Sequence, residues 1–202
     1  MYNVSVPMAV MDFVPVVFYG ITAAVLRRDL WNKMSRQTFS MFASGTMFIF
    51  TAGLLKALWK LLYALGVCDF QALNTLFMPL QSIGFLLTGV AIVVMLAKKK
   101  VPVLAAPPVF AGTMVFIPMM VLGLGTVVTV LSILAVKLKK KWAVALLILS
   151  FLASLAMGGM ASQDSTQAWV NWVEQSLNCV GQGALLAAVV IMDRAGLKEL
   201  KL

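Results

Sequence analysis

One aspartate and three polar stripes lie inside runs otherwise apolar enough to cross a bilayer, and any chemistry open to this chain starts with them. Asp12 sits one turn before Pro15 and two turns before Tyr19 in the first apolar run. Lys56, Lys60 and Tyr63 follow in the second run at i, i+4 and i+7, which places them on one helix face. Asn74, Gln81 and Thr88 are spaced by seven in the third. In the last run Asn171, Glu174, Gln175, Asn178 and Gln182 fall at i, i+3, i+4, i+7 and i+11, a continuous stripe. A charge at the centre of a span costs about 2.5–3.5 kcal/mol on insertion scales, so each one needs a partner or water.

Lipid satisfies none of these groups, so the stripes must face other helices or a wet cavity. They predict a polar, ligand-binding pocket lined by Asp12, Lys56, Lys60, Asn74, Gln81, Glu174 and Asn178, with Lys56 or Lys60 paired to Asp12 or Glu174. Each residue alone has a plainer use. The two lysines can end a span and snorkel into headgroups. Glu174 can sit at the interface if the last span starts near Leu177, and the amides can tie helix to helix.

Catalysis has less to work with. The chain has no histidine, no GxSxG or HExxH motif, no aspartate pair within a span and no phosphate-binding glycine loop. Cys68 and Cys179 make neither a disulfide framework nor a metal site. The reading is therefore not an enzyme, with no cofactor and no metal.

The elements that must position these residues are apolar helices. Hydrophobic residues make up 62% of the 202 and charged residues only 11%, against about 45–50% and 25% in soluble domains, so a soluble fold is excluded. The fold class is an all-α integral membrane protein with six hydrophobic segments, at about 6–26, 39–65, 73–97, 109–136, 142–160 and 169–192. The first run ends in Arg27, Arg28 and Asp29, which suits a retained span and not a cleaved signal. Trp31, Trp59, Trp142, Trp169 and Trp172 all fall near expected span ends, as interface anchors do.

The halves look alike. MDFVPVVFYGI from Met11 resembles MVFIPMMVLGL from Met114, with Pro15 opposite Pro118 and Gly20 opposite Gly123. QSIGFLLTGVAIVVM from Gln81 resembles NCVGQGALLAAVVIM from Asn178, with Gly84 opposite Gly181. This divides the chain into a three-helix repeat over 1–100, a Pro-rich hydrophobic linker over 101–113, and a second repeat over 114–202.

Charge decides how the repeats relate. The net charge of +9 sits in short clusters between spans, which reads as a topology signal and attraction to anionic lipid, not as nucleic-acid binding. Six plain spans invert the second repeat and leave seven basic residues inside against nine outside. If the 36 uncharged residues between Lys100 and Lys137 cross twice, the split becomes fourteen against two and the repeats run parallel. Each crossing would then have about 17 residues, the minimum for a helical span, with breaks at Gly112 or at Gly123–Gly125. Insertion both ways as an antiparallel dimer is a third solution. The charge balance favours six segments plus a seventh crossing or re-entrant piece within 101–136. Parallel repeats gather the polar residues at one face; inverted repeats scatter them.

The function this favours is a small-solute transporter or substrate-binding component of the cell membrane, with the polar pocket between repeats. The alternative is a structural or regulatory subunit packed against a larger membrane partner. An intramembrane enzyme, dependent on Asp12, Glu174 or a lysine, ranks last. The partners implied are the lipid bilayer, a small-molecule solute, and a second copy or a larger membrane protein.

Overall fold

The computed structural model describes residues 4–98, 113–160 and 167–201. Among these residues every regular element is helical: α1 (Val6–Met11), α2 (Phe13–Leu30), a 3-10 turn at Trp31–Lys33, α3 (Arg36–Ala64), α4 (Gln71–Thr75), α5 (Phe77–Ala97), α6 (Thr113–Lys137), α7 (Lys141–Met160) and α8 (Ala168–Arg194). Six stretches, Val6–Lys33, Arg36–Ala64, Gln71–Ala97, Val115–Lys137, Lys141–Met160 and Trp169–Arg194, are long and apolar enough to cross a membrane.

Proline sets the two breaks within these stretches. The ring of a helical proline collides with the carbonyl four residues earlier and brings no N–H. Four residues before Pro15 is Met11, where α1 ends; four before Pro79 is Thr75, where α4 ends. Asp12 and Leu76 sit at the resulting joints. Elsewhere the ends carry ordinary signals. The Ser35 hydroxyl caps α3 by accepting the Thr38 N–H at 3.2 Å. Gly66, with φ of 67°, supplies the left-handed turn after α3.

Each long helix packs on its neighbours in the chain, and α8 closes the ring on α2. Contacts fix the directions. Asp12 meets Lys60, and Arg27 reaches Ala43 and Thr46, so α2 and α3 are antiparallel. Gly45 abuts Gly84 and Thr88, making α3 and α5 antiparallel as well. The Ser82 hydroxyl donates to the Phe116 carbonyl at 2.9 Å, and Gly89 abuts Gly123, so α5 and α6 run parallel. Gly125 against Phe151 and Gly181 against Ala153 reverse direction at α6–α7 and α7–α8. Phe18 beside Gly183 and Arg28 beside Asp193 make α8 parallel to α2. Thus α2, α5, α6 and α8 point one way, while α3 and α7 point the other.

Lys98 and Thr113 therefore lie at opposite ends of the bundle; residues 99–112 between them lie outside the described residues. Two equal crossings shared over 101–136 are not what forms. From Thr113 to Lys137 the chain is one unbroken helix, and the expected break at Gly123–Gly125 is absent. Gly123 serves close packing instead, since a methyl there would lie 2.5 Å from the Phe85 carbonyl carbon. The expected break at Gly112 lies outside the described residues.

These directions sort the charges. Of the described Lys and Arg residues, only Lys56 and Lys60 lie at the end where α2 begins; the others gather at the opposite, basic end. Ser35, Lys140 and Lys201 are all at the basic end. Most of the fully buried apolar side chains are there too: Leu30, Phe42, Ile92, Leu131, Leu134, Leu147 and Met192, with Met8 and Val170 at the other end. The main core lies in the basic half, below a surface pocket of about 650 Å³ between Lys33, Thr38, Val94 and Lys98, and the other half is the more hollow.

Candidate functional site

The hollow half encloses a cavity of about 830 Å³ lined by side chains from all six long helices. Asp12, Lys56, Lys60, Asn74, Gln81, Glu174 and Asn178 all line it, so the structure gathers every residue predicted for the pocket. Its floor at Ile49 and Leu124 is buried, and its rim at Thr75, Gly158 and Gly159 is exposed.

The proline break at Asp12 turns its carboxylate inward, where Oδ2 lies 2.8 Å from Lys60 Nζ. Both residues are buried, at 8% and 7% exposure, so Lys60 does not snorkel to a surface. The contact is an ion pair without the angle of an aligned hydrogen bond. Of the pairings expected for the two lysines, this is the one that forms. Lys56, one turn earlier, rests its ammonium 4.3 Å above the centre of the Phe77 ring, a cation–π contact. It lies within electrostatic range of Lys60, Asp12 and Glu174. Among the described residues neither Lys56 nor Glu174 has an ion-pair partner within 4 Å.

Amides fill the spaces between the charges. Asn74 and Asn178 are half-buried on the wall. Gln81, Gln175 and Gln182 each hold a buried amide atom with no hydrogen-bond partner among the described residues. Native interiors seldom tolerate such groups unless water or a ligand meets them.

Gln175, Gln182 and Tyr19 join the lining although they were outside the predicted set. The two glutamines belong to the stripe on the last helix, and that spacing was the signal for them. The contributions of α6 and α7, among them Phe116, Met120, Ser154 and Met157, left no such signal, because an apolar cavity wall reads like any lipid-facing side. Thr88 shares the Asn74–Gln81 spacing but not the site: its hydroxyl donates to the Gly84 carbonyl at 2.8 Å, where α3 crosses. Trp59, expected at an interface, is buried at 3% exposure and donates its indole N–H to Asp69 at 2.9 Å, fastening the loop after α3.

Side chains tie the helices together at the basic end. Arg27 donates to the Thr46 hydroxyl at 2.9 Å and to the Ala43 carbonyl at 2.6 Å. Arg28 bridges Asp29 and Asp193, joining α2 to α8. Lys33 donates to the carbonyls of Lys198 and Leu200 at 2.8 and 2.6 Å, pinning the C-terminal segment across this end.

Among the described residues no group of three His, Cys, Asp or Glu side chains is placed to hold a metal. The cavity offers hydrogen bonds, two cations and two anions, within a mostly apolar wall. Such a set has the chemistry to hold and orient a polar solute. The chain matches no protein-family model, no curated protein and no solved structure.

Proposed function

We propose that this chain is a multi-pass protein of the cell membrane that binds a small solute between two parallel three-helix repeats and carries it across, alone or as the substrate-binding part of a transporter. The observation that carries the reading is the convergence of polar residues from separate spans on one cavity that reaches the surface and ends at a buried floor.

Apolar residues cover the outside of the bundle. Val17, Ile21, Leu122, Leu152 and Val180 are exposed mid-helix, positions that suit acyl chains. Trp31, Trp142, Trp169 and Trp172 are exposed near helix ends, where indoles anchor at headgroups. The concentration of Lys and Arg at one end makes that end cytoplasmic under the positive-inside rule. The cavity then faces the opposite side.

The division into repeats at 1–100 and 114–202, joined by a linker at 101–113, draws support from matched contacts. Gly84 of α5 abuts Gly45 and Ile49 of α3, and its counterpart Gly181 of α8 abuts Ser150, Ala153 and Ser154 of α7. Ser82 meets the start of α6, and Cys179, its counterpart, lies within electrostatic range of Asp12 at the start of α2. Parallel repeats with a site at their interface are a recurrent transporter plan, and alternating access follows when one repeat rocks against the other. The side-chain ties at the basic end and the cavity at the opposite end fit one extreme of that motion.

Reconstitution into proteoliposomes tests the reading. Uptake of a radiolabelled solute panel should exceed that of empty vesicles. Asn178→Leu and Glu174→Ala should each lower uptake at least tenfold while membrane insertion stays unchanged. Loss of insertion in proportion to uptake would assign these residues to folding and end the pocket reading.

A further inference from the structure

We infer that the solute is a small zwitterion, with one ammonium and one carboxylate on an apolar body. This rests on the pocket reading above and adds the chemical class of ligand. Of the four charges in the cavity, Asp12 and Lys60 are already spent on each other at 2.8 Å. Lys56 and Glu174 remain, one on α3 and one on α8, within electrostatic range of each other but without an ion-pair partner among the described residues.

A half-buried charge without a partner is unfavourable, and a ligand group of opposite sign removes that cost. A carboxylate suits Lys56 and an ammonium suits Glu174. The cavity's formal charges cancel, so a ligand of net charge would leave one of them uncompensated, whereas a zwitterion satisfies both. The unpartnered amide atoms fit the same ligand: Oε1 of Gln81 and of Gln182 are acceptors and suit its ammonium, and Nε2 of Gln175 is a donor and suits its carboxylate. The apolar wall from α6 and α7 leaves room for an uncharged side chain.

The experiment uses the full chain purified in detergent and isothermal titration with L-leucine, L-methionine and L-phenylalanine. Each is compared with its decarboxylated amine and its N-acetyl acid; glucose and uridine serve as uncharged polar solutes. At least one amino acid should bind, with both single-charge derivatives at least tenfold weaker. Lys56→Gln should shrink the gap between amino acid and amine, and Glu174→Gln the gap between amino acid and N-acetyl acid. Circular dichroism and gel filtration on both variants confirm the fold. Equal binding of parent and derivatives, gaps indifferent to both substitutions, or no binding of any amino acid would overturn the inference. If glucose or uridine binds instead and Asn178→Leu abolishes it, the zwitterion is wrong but the pocket stands. If nothing binds and a cysteine at Gln182 resists aqueous maleimide, both are wrong.

Discussion

The two ends of this bundle are built on opposite principles. At the basic end, apolar side chains fill the space between helices, and every cation named there as a tie (Arg27, Arg28 and Lys33) binds a carbonyl, hydroxyl or carboxylate of a neighbouring element. At the other end Trp59 and Gln71 bind Asp69 in the loop, and within the cavity the Asp12–Lys60 pair is complete. Around it, among the described residues, stand two charges without an ion-pair partner and three glutamines that each hold one unpartnered amide atom. Identical composition rules act on both halves, so the difference is one of use. At the basic end most polar groups hold helices together, with Asp29 Oδ2 the buried exception; around the cavity several stay without a partner among the described residues.

The sharpest way to break this contrast is to remove half of the one completed pair. Lys60→Met leaves Asp12 as a buried lone carboxylate, and breaking a buried pair costs about 3–5 kcal/mol. Asp12→Asn combined with Lys60→Met should recover most of that loss. Thermal unfolding in detergent reads both; a double variant as unstable as the single would mean that the pair does not hold α2 to α3.

Next come the helix crossings. A methyl at Gly45 would lie 2.5 Å from the Thr88 hydroxyl and 2.8 Å from the Gly84 carbonyl. Gly45→Leu should therefore cost about 1–3 kcal/mol by overpacking. At Gly158, on the hollow side, an added methyl would meet nothing within 4 Å among the described residues. Gly158→Ala should stabilise the helix by about 0.5–1 kcal/mol. Similar losses at both positions would erase the distinction between a packed half and a hollow one.

The smallest change in stability is expected at the rim of the basic end. Arg28 is exposed but its partner Asp29 is fully buried, so Arg28→Ala is made together with Asp29→Asn, which leaves no lone buried carboxylate and should shift the unfolding temperature little. Its effect belongs to access: with the α2–α8 bridge gone, a cysteine at Gln182 should react faster with maleimide supplied from the basic side. An unchanged rate would remove Arg28 from any role in closing that end.

How much of this was legible in the sequence follows from the same contrast. Polar residues in apolar helices are conspicuous, so Asp12, Lys56, Lys60, Asn74, Gln81, Glu174 and Asn178 stood out, and all seven line the cavity. The clustering of Lys and Arg was legible as well, and the helix directions put every described cluster at one end. The division of labour between the lysines was not legible. Lys56 and Lys60 lie one turn apart on one face, and only the joint at Asp12, set by Pro15, brings the carboxylate to the second. The cavity walls from α6 and α7 were hidden because Phe116, Met120 and Met157 look the same whether they face lipid or a hollow. Of the two breaks the glycines offered, Gly123–Gly125 is not one, since the helix passes straight through them, and Gly112 lies outside the described residues.

The most direct test of the central claim is accessibility in sealed membrane vesicles of single cysteines at Ser35, Lys140, Lys201 and Asn74, with Cys68 and Cys179 replaced by serine. A polar cavity between parallel halves predicts that Ser35, Lys140 and Lys201 label only from the cytoplasmic side and Asn74 only from the other. Labelling of Ser35 from the side opposite Lys140 and Lys201 would mean inverted halves, which would carry Glu174 away from Asp12 and dissolve the site.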